Sequence, residues 1–302
     1  EKVVLKGFPL FDMADIEVIR GPQGTLFGRN TTAGIVKIDS RRPTDETEGY
    51  VSGSVGNLGP FNLEAAVGGS LIEDKLLARV SVMTQNRSDW VDNGFTGESD
   101  TLGGHNINAG RVQLLWTPTD NFSALLLHQM QNSDGTATLF RANVLNKGSN
   151  ELNENYDRDT VFFDGGNNNP TAVKSTGTNL RLDWDFENHS ITSITSYQNI
   201  TDRSARGDID GGFGCLFTCS GPSGPASTPF SPFNSPFVVD IDTGSDIDLE
   251  QLTQELRIAS VAGGQFNYQF GVFYFEDQFD GTAKAQSAGA TAFTTQSTSS
   301  AR

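Results

Sequence analysis

The sequence is poor in positive charge, in methionine and in long apolar runs. Lys and Arg total 21 against 37 Asp and Glu, a formal net charge of -16, so the basic surface that nucleic-acid phosphates require is missing and no nucleic-acid partner is expected. No stretch of 18 apolar residues occurs, which excludes a transmembrane helix but leaves alternating membrane strands open. Met is scarce at 3 and Gly abundant at 33, a composition that favours strands and turns.

Catalytic and metal-binding patterns are also missing. His105, His128 and His189 lie in different segments, and the sequence has neither a nucleophile elbow nor a zinc-binding helix. We therefore expect no enzyme activity, no metal site and no cofactor.

Segments of about ten residues with period-two alternation follow one another from Glu48 onward. Long gaps near 87–105, 133–175 and 201–248 alternate with tight turns, so an up-and-down meander would place the long loops at one end and the short turns at the other. Outer-membrane barrels have this asymmetry. The nine predicted strands are 48–57, 61–71, 75–86, 106–117, 121–132, 176–187, 189–200, 249–260 and 266–279.

The sixth predicted strand shows two distinct faces. Leu180, Leu182 and Trp184 alternate with Arg181, Asp183 and Asp185, so one face suits lipid and the other suits water. A soluble β-sandwich alternates in the same way, but its strands average about five or six residues, whereas strands of nine to twelve residues match a tilted crossing of a bilayer. The seventh and ninth predicted strands have no clear apolar face, and their phase is left unassigned.

The first 43 residues form a separate unit that contains an apolar strand, a Gly-Pro turn and a glycine-punctuated loop. Gly24 and Gly28 superficially suggest a phosphate-binding loop, but no Lys follows either one at the required spacing. The run from Ile16 to Asn30, IEVIRGPQGTLFGRN, followed by AGIV at 33–36, resembles the late plug of TonB-dependent outer-membrane receptors. One departure lies at 32–34, where that family usually has a pair of glycines.

The resemblance implies an all-β membrane protein: an antiparallel up-and-down transmembrane barrel with the end of an N-terminal α+β plug domain. Residues 1–43 would be the last part of the plug, and residues 44–302 would be about nine of roughly 22 barrel strands. The start of the plug and its TonB box would then lie outside this sequence. The location implied is the outer membrane of a Gram-negative bacterium, with extracellular loops.

The resemblance also implies active import of a scarce ligand, most commonly a ferric siderophore. The partners would be the TonB–ExbB–ExbD complex, outer-membrane lipid and the small-molecule ligand. Three alternatives stay open: uptake of a glycan or a vitamin B12-like nutrient, a passive porin-like barrel, and a soluble extracellular β-protein that binds carbohydrate.

Two sets of residues, one in the plug and one shared between plug and barrel, are candidates for structural roles. The glycines of the motif are expected to supply positive φ and close approach. Plug arginines are expected to pair with carboxylates that face the lumen. The motif residues are Arg20, Gly21, Pro22, Gly24, Gly28, Arg29 and Gly34, and the contact candidates are Arg20, Arg29, Arg41, Arg42, Asp183, Asp185 and Glu255.

The third long loop contains both cysteines and several aromatic residues. Cys215 and Cys219 suggest a disulfide in an oxidising compartment, with a metal site as the rival interpretation. Phe213 and Phe217 are candidates for ligand contact, although exposed loop aromatics also pack on one another.

Overall fold

A computed structural model describes residues 10–24, 31–57, 59–94, 96–141, 144–146, 148–154, 156–163, 169–208, 240–261, 266–288 and 293–301. Within these ranges no helix is both long and apolar enough to cross a membrane. The described residues form three β-sheets, with ten, three and two strands.

The main sheet is an antiparallel meander in which each strand pairs with the next one of this sheet along the chain. This arrangement confirms the predicted all-β, up-and-down fold class. Its strands are β3 (Glu48–Val55), β4 (Phe61–Ile72), β5 (Leu76–Arg87), β8 (His105–Thr119), β9 (Phe122–Thr136), β11 (Pro170–Asp185), β12 (His189–Asp208), β13 (Asp240–Ser260), β14 (Gln269–Ala288) and β15 (Phe293–Ala301).

All nine predicted strands occur in this sheet, but the later strands are longer than the sequence predicts. β12, β13 and β14 have 20, 21 and 20 residues. β12 and β13 extend into the predicted loop 201–248, and β14 continues to Ala288, beyond its predicted end at 279. β15 lies in a polar stretch where no strand was predicted. The backbone ladder continues where apolar alternation ends, because pairing with a neighbouring strand needs no apolar side chain.

Register resolves the faces of the seventh predicted strand, which is β12. Thr192 of β12 lies between Asp183 and Arg257, so Thr192 belongs to the polar face. On the opposite face, Gln254 donates to the Ser193 hydroxyl at 3.0 Å and accepts from Thr195. The alternation of β12 is obscured because these polar side chains occupy the apolar face and satisfy one another.

A two-stranded antiparallel hairpin precedes the main sheet. It consists of β1 (Met13–Arg20) and β2 (Gly34–Ser40), and Ile16 lies opposite Ile38 while Val18 lies opposite Val36. We call it the plug hairpin, after the unit that the sequence predicts.

The third sheet lies in the two long loops that connect β5 to β8 and β9 to β11. It contains β6 (Val91–Asn93), β7 (Glu98–Leu102) and β10 (Thr160–Val161). Val91, Leu102, Val161 and Phe163 form a buried cluster at its centre. The first two long loops are therefore joined through an apolar core of their own, which we call the loop lobe.

Candidate functional site

The chain just before the plug hairpin is buried against one face of the main sheet. Phe11 and Asp12 are each 2% exposed, and they contact residues of β5 and β8. Arg79 on β5 is 1% exposed and Arg111 on β8 is 4% exposed. We call this contact the hairpin–sheet junction. It defines the inner face of the sheet.

A buried ion pair forms the centre of the junction. Arg79 donates from Nε to Asp12 Oδ2 at 2.8 Å and from Nη2 to Asp12 Oδ1 at 2.6 Å. The Ser81 hydroxyl also donates to the Asp12 carboxylate. A guanidinium that engages both carboxylate oxygens fixes direction as well as distance, so this pair sets how the hairpin meets the sheet.

Acidic groups of β3 and β4 extend the network at its rim. Arg79 Nη1 donates to Glu48 Oε1 at 2.9 Å. The backbone N–H of Asp12 donates to Glu64 Oε1 at 2.8 Å, and the Tyr50 hydroxyl donates to the same carboxylate. The network around Asp12 therefore spans three consecutive strands of the sheet, β3, β4 and β5.

A second group of contacts involves β8. Arg111 donates from Nη1 to the Phe11 carbonyl at 3.1 Å, and its guanidinium lies 4.5 Å from the centre of the Phe11 ring. Gln113 donates from Nε2 to the Arg41 carbonyl at 2.6 Å. Arg41 follows β2, so β8 holds the chain on both sides of the hairpin.

Electrostatics favour the ionised form of Asp12. Burial by itself raises the pKa of this carboxyl, but hydrogen bonds from Arg79 and Ser81 and the positive charges of Arg79 and Arg111 together lower it below its ordinary value. Asp12 is thus a buried carboxylate that stays charged because its partners are in place.

Three residues of this region have positive φ. Asp12 has φ of 49°, which Asp and Asn tolerate better than other side chains. Gly21 has φ of 89° after β1, and Gly34 has φ of 144° where β2 begins. A Cβ at Gly34 would lie 2.4 Å from the Ile19 carbonyl oxygen, so the hairpin closes only with glycine there.

The remaining motif residues lie at the end of β1 and in the connection from β1 to β2. Arg20 ends β1 and is exposed, and Pro22 and Gly24 follow the turn. Gln23 donates its backbone N–H to the Thr31 carbonyl at 3.0 Å, which keeps the two sides of this segment together. Gly28 and Arg29 lie outside the described residues.

The predicted plug arginines have different surroundings. Arg41 lies at the junction, with its Nε 3.2 Å from the Met13 carbonyl and its guanidinium 6.0 Å from the Tyr50 ring. Arg42 is exposed and interacts electrostatically with Asp183. Asp183 forms a direct ion pair with Arg181 of its own strand, with an N–O distance of 2.6 Å.

The other predicted acids lie on the main sheet away from the junction. Asp185 is exposed and donates its backbone N–H to the Asn121 carbonyl at 2.8 Å. Glu255 pairs with Arg257 at 3.5 Å. Cys215, Cys219, Phe213 and Phe217 fall outside the described residues, so the predicted disulfide and aromatic contacts stay predictions.

Sequence reasoning missed the residues at the centre of the junction. Arg79 and Ser81 lie on the polar face of the predicted strand 75–86. That pattern predicts that they point inward, but it does not predict which residue they contact. Asp12 carries no local signal, because 67 residues separate it from Arg79. Asp12 and Arg79 come together only because the segment before the hairpin packs against β5 in the folded protein.

No family model matches this chain. The pesticin receptor of Yersinia pestis is 32% identical over 111 residues, which is 37% of this chain and 16% of that receptor. The ferrioxamine B receptor of Salmonella typhimurium is 36% identical over 85 residues, 28% of this chain and 12% of that receptor. The chain thus matches less than a fifth of the length of these curated relatives.

Solved structures share the fold over nearly the whole chain. The ferric yersiniabactin uptake receptor of Yersinia pestis has a TM-score of 0.70 at 20% identity, covering 96% of this chain and 40% of that one. The closed form of the ferric-catecholate import receptor of Escherichia coli K12 has a TM-score of 0.55 at 12% identity, covering 96% and 52%. Together with the named relatives, these structures confirm the resemblance to TonB-dependent outer-membrane receptors.

Proposed function

We propose that the protein takes part in TonB-dependent import of a ferric siderophore across the outer membrane of a Gram-negative bacterium. Relatives in sequence are named as receptors for pesticin and ferrioxamine B, and structures with the same fold include receptors that take up ferric yersiniabactin and ferric catecholates. The observation that carries the proposal is the hairpin–sheet junction, where a buried ion pair holds a separate hairpin against the inner face of the sheet.

The physical role of the junction is to anchor a movable unit. Within the described ranges the hairpin shares no strand pairing with the main sheet, and the contacts that attach it there are side-chain contacts and single hydrogen bonds. Such contacts can break without unfolding either sheet, whereas breaking strand pairing would disrupt a sheet. An applied pull from TonB, energised by ExbB and ExbD, would act against this attachment and open a path for the cargo. No step in this mechanism breaks a covalent bond.

The opposite face of the main sheet suits lipid. Val67, Val80, Val82 and Val112 are between 42% and 58% exposed and follow one another across β4, β5 and β8. Near the short turns, Trp116, Phe122 and Trp184 form a chain of edge contacts with ring centres 5.9 and 5.8 Å apart. Aromatic residues gather at both boundaries between membrane and water, so this cluster would mark one of them. Outer-membrane barrels have short periplasmic turns and long extracellular loops, so these turns would be periplasmic and the loop lobe extracellular.

A passive porin-like barrel agrees less well with the junction, because a hairpin attached to the inner face would obstruct an open pore. Uptake of a glycan or a vitamin would use the same junction and differs only in the cargo. The discriminating measurement is therefore the binding of defined ligands.

The test is ligand binding to the intact protein, expressed from its complete gene and purified in detergent. Intrinsic tryptophan fluorescence is recorded during titration with ferric hydroxamates, ferric catecholates and ferric yersiniabactin, and with the same compounds free of iron as controls. Uptake of the radioactive iron chelate is then measured in cells with and without TonB. We expect saturable binding of one ferric class and uptake only when TonB is present.

Two results would count against the proposal. Uptake that persists without TonB would point to a passive barrel. Absence of binding to every ferric chelate, combined with saturable binding of a glycan or a cobalamin, would assign the protein to a different cargo.

A further inference from the structure

Arg79 has two acidic partners that belong to different parts of the molecule. Its Nε and Nη2 donate to Asp12, which lies in the segment before the plug hairpin, and its Nη1 donates to Glu48 Oε1 at 2.9 Å. Glu48 is the first residue of β3, so it would stay with the main sheet if the hairpin detached. One guanidinium is therefore shared between a carboxylate of the hairpin unit and a carboxylate of the wall.

Glu48 reaches the junction only through Arg79 in the described part of the chain. Its side chain is 46% exposed, whereas the side chain of Asp12 is 0% exposed. The bond between Glu48 and Arg79 is available whether the hairpin is attached or not. An interaction shifts an equilibrium only by the difference in its strength between the two states, so this bond by itself does not hold the hairpin.

Two carboxylates that share one guanidinium also repel each other. Asp12 and Glu48 each accept from Arg79 over distances of 2.9 Å or less, so the two negative charges are close neighbours. In a partly buried site little water screens such a repulsion. The repulsion exists only while the hairpin is attached, and the charge of Glu48 therefore favours the detached state.

The main sheet also balances its own charge at the junction. Within the described ranges it contributes four charged side chains to the network there, namely Arg79, Arg111, Glu48 and Glu64. Two guanidinium groups meet two carboxylates, and Asp12 adds a third carboxylate when the hairpin is attached. Breaking a buried ion pair is costly chiefly because it leaves one charge uncompensated, and a wall that is neutral by itself reduces that cost.

Space for an exchange of partners is present beside Arg79. A cavity of about 230 Å³ is lined by Arg41, Glu48, Gly49, Tyr50 and Arg79. This volume has room for several water molecules. Once Asp12 leaves, the guanidinium can turn into this space and engage both oxygens of Glu48 without displacing a packed side chain.

We infer that Glu48 is a positioning residue that competes with Asp12 for Arg79 and so lowers the free energy needed to detach the plug hairpin. It acts through Arg79, which it keeps oriented and compensated while the hairpin is away. The inference rests on the proposed function, because a hairpin that detaches during import gives Glu48 a second state to stabilise. A merely structural role predicts the opposite sign, since a residue that only held Arg79 toward Asp12 would strengthen the attachment.

The decisive variant is Glu48→Gln in the intact protein in detergent, followed by hydrogen–deuterium exchange of the peptides that contain Asp12, β1 and β2. The Asp12 amide donates to Glu64 across the junction at 2.8 Å, so its exchange reports detachment directly. An interaction between charges that are partly exposed is worth about as much as a surface ion pair, so we expect protection to rise by about two- to fivefold. Glu48→Ala, which also removes the charge, is expected to act in the same direction.

Three further variants separate competition from other effects. Glu48→Asp keeps the carboxylate, and we expect the protection of the unmodified protein. Glu46→Gln is the matched control, because Glu46 is an exposed acid just before β3 whose side chain lies outside the network around Arg79. In Asp12→Asn the repulsion is already absent, so adding Glu48→Gln should leave protection as it is in Asp12→Asn alone.

A rise of protection in Glu48→Gln that disappears in the Asp12→Asn background supports the inference. Lower or unchanged protection in Glu48→Gln overturns it, and so does a rise that persists in the Asp12→Asn background. Neither cargo nor TonB is present in these measurements, so they decide about Glu48 independently of import. The proposed function fails by a different result, namely uptake of the iron chelate that persists in cells without TonB.

Discussion

Replacing Asp12 by Asn is the sharpest test of the hairpin–sheet junction. The side chains have the same shape, and Asn tolerates the positive φ of this position as well as Asp does. The substitution therefore removes the negative charge between Arg79 and Ser81 without disturbing the backbone. It also replaces one carboxylate oxygen that accepts from Arg79 by an amide nitrogen that cannot accept, so the effect reports the ion pair together with its hydrogen bonds.

The expected magnitude follows from burial. Asp12 and Arg79 have side chains that are 0% and 1% exposed, and removing one partner of such a pair leaves the other buried and uncompensated, at a cost of about 3–5 kcal/mol. Arg79 keeps Glu48, whose side chain is 46% exposed, so the lower end of that range applies. A loss of about 3 kcal/mol corresponds to roughly a hundredfold change in an equilibrium constant.

Hydrogen–deuterium exchange of the intact protein measures this change where it occurs. The amides of β1 and β2 exchange when the hairpin detaches and opens, so Asp12→Asn is expected to speed their exchange by about two orders of magnitude while the amides of β4 and β5 change little. Lys37→Met is the control on the same hairpin. Its ion pairs with Glu17 and Asp39 are exposed, and we expect exchange close to that of the unmodified protein.

A double-mutant cycle supplies the refutation. Replacing both members of a buried pair removes the uncompensated charge, so Asp12→Asn combined with Arg79→Met should be less destabilising than the sum of the two single changes. If hairpin exchange is unchanged in Asp12→Asn, or if the two effects simply add, the ion pair does not hold the hairpin and the reasoning fails.

Three further predictions concern pH and the membrane. Because the pKa of Asp12 is lowered on folding, its contribution to hairpin stability is present above the ordinary Asp pKa of about 3.9 and is lost as the pH falls through the folded pKa. The protection factors of the hairpin amides, which correct each exchange rate for its intrinsic pH dependence, should therefore be constant from neutral pH to about 5, fall below about 4, and fall less in Asp12→Asn. Val80→Arg should reduce the free energy of unfolding in lipid vesicles by about 2–4 kcal/mol, as urea titration would show, and an effect near zero would contradict a lipid-facing position. Brominated lipids should quench the fluorescence of Trp116 and Trp184 but not that of Trp90, and equal quenching of all three would contradict the assigned orientation.

The main sheet was largely predictable because its signal is local. Alternation of Leu180, Arg181, Leu182 and Asp183 reflects the two environments of one strand, and each strand carries that pattern within about ten residues. The prediction weakened where the pattern is broken by side chains that bond one another across strands, as Gln254 does with Ser193 on β12. Such pairs are invisible until the register is known.

The sequence by itself determined the fold class, the order of the strands and the family resemblance, because alternation, turn residues and the motif at 16–36 are all short-range features. Only the tertiary structure decided the site. Asp12 and Arg79 are 67 residues apart, and Arg111 is 100 residues from the Phe11 carbonyl to which it donates. A local pattern predicts which face of a strand a side chain occupies. The residue that it contacts depends on the register of every strand between the two residues.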